Sequence, residues 1–170
     1  MKNRKPIITA TDGRRQFAGF SAAVLGYVVN KNEEILMLSH PERPGSWEVI
    51  NGALEAGETV LEGVLRETAE EAGPKVRVRP LGTAHITSFH YDPNVRYMLS
   101  ISYLLAYQNG AVEPGDDMRG SGFRWWKLEE LMEESVDVLV PPDQKWVLRR
   151  AVELYRRWKD QEVDLQPELS

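Results

Sequence analysis

Apolar and polar residues alternate most clearly from Val95 to Tyr107. Val95, Tyr97, Leu99, Ile101, Tyr103, Leu105 and Tyr107 share one parity, which predicts a long strand with one face in a core. Phe20 to Val29 is apolar on both parities and predicts a strand buried on both sides. Lys31-Asn32-Glu33 reads as a turn and Ile35 to Leu38 as the return strand. Val76 to Leu81, Thr83 to Tyr91 and Phe123 to Lys127 read as further strands, the last followed by a short helix over Leu128 to Glu134. Helical spacing takes over at two places. Val60, Leu61, Val64, Leu65, Thr68 and Ala72 mark one helix face, with Thr59 as its N-cap and Gly73-Pro74 as its stop. Val147, Ala151, Leu154, Tyr155 and Trp158 form the stripe of a second helix, capped by Asp143 after Pro141-Pro142 and running to about Trp158.

The remaining segments read as connections and ends. Ile7 to Ala10 and Gln16 to Ala18 flank Asp12-Gly13, the pattern of a hairpin. The basic stretch 1–16 is otherwise a loose terminus; as a working part it would add to a dimer sheet or reach a phosphate. His40 to Ser46 is a loop, residues 111–122 are a second loop rich in glycine and acid, and 159–170 form a polar tail. Gly63 inside the first helix should cost about 1 kcal/mol relative to alanine, and close packing on a neighbouring strand would explain it. No internal repeat or second domain interrupts residues 1–170, so one domain is expected. Strands alternating with helices in this order allow an α/β or α+β layered sandwich, a mixed sheet with one helix on each side.

Candidate chemistry concentrates between Gly52 and Gly73. Successive helical residues advance by about 100°, so Glu67, Glu70 and Glu71 fall on one stripe. Like charges at this spacing each cost a few tenths of a kcal/mol in an isolated helix. Such a stripe asks for a positive partner, and hard divalent cations take carboxylate oxygens. Glutamate pairs met singly are mostly solvated surface. The joint spacing Gly-x5-Glu-x7-Arg-Glu-x-x-Glu-Glu-x-Gly, at Gly52, Glu58, Arg66, Glu67, Glu70, Glu71 and Gly73, is another matter. Seven fixed identities arise by chance at about 10⁻⁸ per window.

Bulk properties narrow the rest. A chain of 170 residues can bury a sizeable core. Its net charge of −5, without a basic run, argues against a broad grip on nucleic acid. The absence of cysteine excludes disulfides and thiolate metal sites. No apolar run approaches a membrane span and no secretory signal pattern opens the sequence, so the cytoplasm is the expected compartment.

The spaced motif resembles the signature of the Nudix hydrolase family. Thr68, where an aliphatic residue is usual, Pro74, and Asn51 before a single glycine are departures from its common form. The resemblance implies an α/β/α sandwich and hydrolysis of a nucleoside diphosphate linked to another moiety, with Mg²⁺ or Mn²⁺. That moiety is left open among a nucleotide, a nucleotide sugar such as ADP-ribose, and a dinucleoside polyphosphate. By resemblance Glu70 and Glu71 are metal ligands, and Glu67 is either a further ligand or the acceptor of the water's proton. Arg66 would pair with Glu58 and orient the glutamates, and the Gly52 carbonyl would join the ligands. Glu55 matches a peripheral acidic loop position. Members often recruit an acid from a late loop, where Glu113, Asp116 and Asp117 stand here, with Asp117 favoured.

Substrate contacts are expected from Arg43, Trp47, Glu55, His90, Arg96 and Asp117, each also readable as ordinary loop, core or turn. His40, His85 and His90 show no metal-ligand spacing, and by parity His85 and His90 fall on opposite faces of one strand. An aromatic beyond the motif resembles dinucleoside polyphosphate hydrolases, and Pro93 resembles ADP-ribose hydrolases. The expected partner is a small nucleoside diphosphate derivative, not bulk nucleic acid or a membrane, and a homodimer is left open. The alternative class is a non-catalytic nucleotide-binding regulator, which usually loses the carboxylates kept here. An isopentenyl diphosphate isomerase uses a cysteine that this chain lacks, and the acidic charge lends little support to dedicated RNA decapping.

Overall fold

The structure is a computed structural model, described here over residues 7–95, 97–139 and 145–161. The proposed cap Asp143, with Pro141-Pro142, lies outside the described residues, as do Arg96 and residues 162–170 of the tail. The elements run β1 (Ile7–Thr9), β2 (Gln16–Ala18), β3 (Ser21–Val29), β4 (Ile35–Ser39), β5 (Ser46–Glu48), β6 (Ile50–Ala53) and α1 (Val60–Glu71). There follow β7 (Arg77–Phe89), β8 (Met98–Asn109), a 3-10 turn (Asp116–Met118), β9 (Phe123–Trp126), α2 (Leu128–Leu131), β10 (Asp137–Leu139) and α3 (Lys145–Trp158).

Strands β1 and β2 form the expected hairpin as a sheet of their own, with Ile8 and Phe17 exposed. The main sheet has the order β10-β5-β4-β3-β8-β7, with β6 also on β3 and β9 also on β4. It is mixed: β3 runs parallel to β8 and β10 parallel to β5, and the other pairs are antiparallel. Strands β3 and β4 pair only at Val29 and Ile35. Asn30 closes their turn by accepting the N–H groups of Asn32 and Glu34 (2.9 and 3.0 Å). Beyond it the two strands part, and β6 fills the gap on β3 while β5 lies on β4.

Side-chain alternation then supplies two cores from one sheet. Leu25, Tyr27 and Val29 of β3, Met37 of β4 and Leu104 of β8 pack with Val147, Leu148, Ala151, Val152 and Tyr155 of α3. Their neighbours Val24, Val28, Leu36, Leu38, Tyr103 and Leu105 pack with Val64 of α1 and Ala72. The result is the expected α/β/α sandwich. Strand β8 departs from its alternation pattern. It begins at Met98, and Ser100 through Ala106 are all buried, because it lies between β3 and β7 under both helix layers. The positions between its large residues are Ser100, Ser102, Leu104 and Ala106, which fit a covered face. The two strands expected between Val76 and Tyr91 are one, with its register shifted around Pro80–Gly82 and Thr83–His85. That strand ends at Phe89, so parity does not extend to His90. Among the described residues no helix is long and apolar enough to cross a membrane.

Candidate active site

Thr59 starts α1 with a full capping box: its hydroxyl accepts the Glu62 N–H, and the Glu62 carboxylate accepts the Thr59 N–H (2.8 Å). Gly63 faces the preceding loop, where a Cβ would meet Leu54 Cδ1 at 2.6 Å and Glu58 Oε2 at 3.3 Å. The close neighbour is thus a loop leucine and a carboxylate, with β3 farther off. At the other end, the Glu113 and Gly115 N–H groups donate to the Ala72 and Glu71 carbonyls (2.9 and 3.1 Å), docking the late loop on the helix C-terminus.

The buried face of α1 is not wholly apolar. Glu67 and Glu71, one turn apart, are buried beside Gly63, Val64 and Thr68, while Glu70 is half-exposed. Glu71 Oε2 accepts the Asn51 N–H of β6 (2.9 Å). Gly52 lies directly against the Glu67 carboxylate, which occupies the space a Cβ would fill. Burying an ionised carboxylate is unfavourable unless it is paired or hydrogen-bonded. Arg66 supplies much of the compensation, with all five of its N–H donors engaged. Nε and Nη2 hold the two oxygens of Glu58 (2.7 and 3.1 Å), and Nη2 also donates to the Ala53 carbonyl (3.0 Å). Nη1 donates to Glu67 Oε1 and Glu70 Oε2, both at 2.8 Å. The Arg66 guanidinium, with the Glu55 N–H, holds the Glu58 carboxyl below its usual range. Glu58 in turn raises the Arg66 pKa, against partial burial and with help from Glu67 and Glu70.

Four carboxylates against one guanidinium leave the group of Glu58, Arg66, Glu67, Glu70 and Glu71 negative. Among the described residues no three acidic or imidazole groups converge as a ready-made cation cage, and Arg66 stands between Glu67 and Glu70. The donor chemistry nonetheless suits a hard divalent ion: carboxylates on one rigid helix, beside strand β6, whose Gly52 leaves room for the Glu67 carboxylate.

A cleft of about 480 Å³ opens beside this group where β3 and β4 part, and Gly52 lies in its wall. Arg43 and His40 line it from the 40–46 loop. Trp47 stands apart from it, packed edge-on against Trp126 (5.2 Å between ring centres) in the core facing α3. Glu55 is exposed, and its N–H donates to Glu58 Oε2 (2.9 Å). His90 packs edge-on to Tyr97 (5.2 Å), while its neighbours Phe89 and Tyr91 line the cleft. His85 packs on Trp146 of α3. In the late loop Glu113 pairs with Lys75 (2.9 Å) and Asp116 opens the 3-10 turn. Asp117 lies in that turn, and its side chain, like Arg96, is outside the described residues. Glu48, Asn51, Ser100 and Met98 also line the cleft and were not singled out by the sequence. The one local signal for them was the unusual Asn51 before Gly52.

The fold and the acid-bearing helix define a Nudix-type hydrolase. Residues 19–151 match the NUDIX domain model, and the chain belongs to the Nudix hydrolase family. It is 28% identical over 141 residues to an ADP-ribose pyrophosphatase of Methanocaldococcus jannaschii, covering 82% of this chain and 75% of that one. It is 27% identical over 145 residues to the NAD-capped RNA hydrolase NudC of Pseudomonas aeruginosa, covering 84% of this chain but only 46% of that protein. Among solved structures, an ADP-ribose pyrophosphatase from Streptococcus suis superposes with a TM-score of 0.64 at 19% identity, covering 81% of this chain and 93% of that one. Nudix hydrolases generally use divalent metal ions and act on small nucleotide derivatives.

Proposed function

We propose that this chain is a Mg²⁺- or Mn²⁺-dependent pyrophosphohydrolase of nucleoside diphosphates linked to a second moiety, with ADP-ribose as the first substrate to try. The observation that carries the reading is the placement of Glu67 and Glu70 on Arg66 and of Glu71 on the Asn51 N–H, with Glu67 against Gly52 in the cleft wall. Glu70, Glu71 and the Gly52 carbonyl are assigned to hold the ions, with Glu67 either joining them or accepting the proton of the attacking water. Bound there, divalent ions would neutralise phosphate oxygens and acidify that water. The chain's own residues do the rest. Arg66 keeps Glu67 and Glu70 in place through contacts that also fix Glu58 and the Ala53 carbonyl. Arg43 in the cleft wall offers a phosphate a positive partner. Water adds at phosphorus, the bridging P–O bond breaks, and two phosphorylated products leave.

ADP-ribose comes first because an M. jannaschii relative and an S. suis structural neighbour bear the name ADP-ribose pyrophosphatase. NAD belongs in the same panel because of the resemblance to NudC. With Mg²⁺ or Mn²⁺ present, ADP-ribose should yield AMP and ribose 5-phosphate, chelator should stop the reaction, and added ion should restore it. Tight binding of these compounds without turnover of any would replace this reading with a regulator on the same fold.

A further inference from the structure

A buried hydroxyl without a partner is unfavourable until a ligand or another group meets it. Ser100 is such a group: it is 2% exposed, its hydroxyl forms no hydrogen bond among the described residues, and it lines the cleft. Strand pairing explains its setting, because residues opposite one another in a sheet share a face. Ala23 of β3 lies opposite Ala53 of β6 on one side and Ser100 of β8 on the other, and all three line the cleft. The next row of cleft residues toward one end is Leu25 with Asn51, and toward the other it is Met98 with Phe89. Each stands about 7 Å from the small row along the strands. The three small side chains therefore floor a slot between two rows of bulkier ones. The slot crosses two strand spacings, about 10 Å. Along it Ala53, next to Gly52, is exposed, Ala23 is half-buried and Ser100 is buried.

We propose that this slot seats the nucleobase of the substrate, with the ring on edge over Ala53 and Ala23 and its polar edge on the Ser100 hydroxyl. A base suits the slot and a sugar does not. A base has two flat faces, for Leu25 on one side and Phe89 with Met98 on the other, and gathers its polar atoms on its edge. A ribose carries hydroxyls around its ring, and a floor with one hydroxyl leaves the others unmet. The Ser100 hydroxyl both donates and accepts, so an amino edge or a carbonyl edge satisfies it. The proposal rests on the pyrophosphohydrolase reading and deepens it: with the phosphates beside Gly52 and α1, the base runs across the sheet away from them.

The test sets ADP-ribose, GDP-ribose and CDP-ribose beside diribosyl diphosphate, which lacks the base and keeps both sugars and both phosphates. By calorimetry in chelator, at least one base-bearing ligand should bind the wild type about tenfold or more tightly than the base-free one. Ser100→Ala should lose about three- to tenfold of that preference, and Ala23→Val, which raises the floor, most of it. The base-free ligand should lose less than about twofold in either variant. With Mg²⁺ present the losses should fall on KM at nearly constant kcat, since the base contact is the same in ground and transition states. Thermal unfolding checks that both variants are folded. This pattern in binding without hydrolysis would sink the hydrolase reading and keep the base seat. Equal affinity of the wild type for all four ligands, binding of none, or an unchanged preference in both variants would overturn the seat, and turnover of any of the four would leave the hydrolase standing.

Discussion

Helix α3 buries Val147, Leu148, Ala151, Val152 and Tyr155 on one face of the sheet, while α1 buries Glu67 and Glu71 beside Val64 and Thr68 on the other. The sheet treats the two layers alike, sending alternate residues of β3, β4 and β8 to each. What differs is the content of the helix face. The α3 face is a plain apolar stripe, and its burial contributes the usual ~25 cal/mol per Å². The α1 face gives two positions within one turn to carboxylates, which one arginine and a strand N–H must then satisfy. One layer holds the sheet together. The other gives up packing for a fixed array of negative charge.

Substitutions can break that comparison from either side. Glu70→Gln is expected to have the largest effect, lowering kcat by about a thousandfold or more while the melting temperature without metal stays within a few degrees. Its side chain is 39% exposed, so little packing depends on it; steady-state kinetics beside thermal unfolding would check both halves. Leu148→Ala on α3 should do the reverse. Leu148 is fully buried, so the cavity should cost about 3 kcal/mol of stability by urea titration, with kcat of the folded fraction nearly unchanged. Thr59→Ala removes the hydroxyl half of the α1 cap and should cost about 1 kcal/mol, again with little change in kcat.

The smallest effect concerns pH. The Glu58 carboxyl titrates below its ordinary 4.5 because Arg66 holds it ionised. The pair therefore stabilises the fold above that value, and its contribution fades as pH falls through the lowered one. Glu58→Gln should flatten the loss of stability between about pH 5 and pH 3, seen as a shallower drop in unfolding midpoint than in wild type.

The same contrast explains how far the sequence could be read. Helices α1 and α3, the N-terminal hairpin and the turn between β3 and β4 rest on local signals: Thr59, Asp12-Gly13, Lys31-Asn32-Glu33 and helical spacing. The motif also named the residues that gather around Arg66. The short strands β5, β6 and β10 were hidden, since they are held by pairing with β3, with β4 and with one another across 91 positions at Ser46 and Asp137. The cleft was hidden for the same reason. Its wall joins β3, the 40–52 segment, the end of β7 and the start of β8, and no periodicity along the chain marks such a meeting. Trp47 shows the limit most clearly: an aromatic just before the motif fits a stacking platform or a core position equally, and only Trp126, which pairs with it from far along the chain, distinguishes them.

The central claim is that the α1 carboxylates hold divalent ions, and a Mn²⁺ titration followed by electron paramagnetic resonance reads this without any substrate. The free-ion signal should fall as wild-type protein is added, and Glu71→Gln should weaken that binding by about tenfold or more while the protein stays folded. Equal Mn²⁺ binding by wild type and Glu71→Gln, or none by the wild type at millimolar ion, would contradict the account.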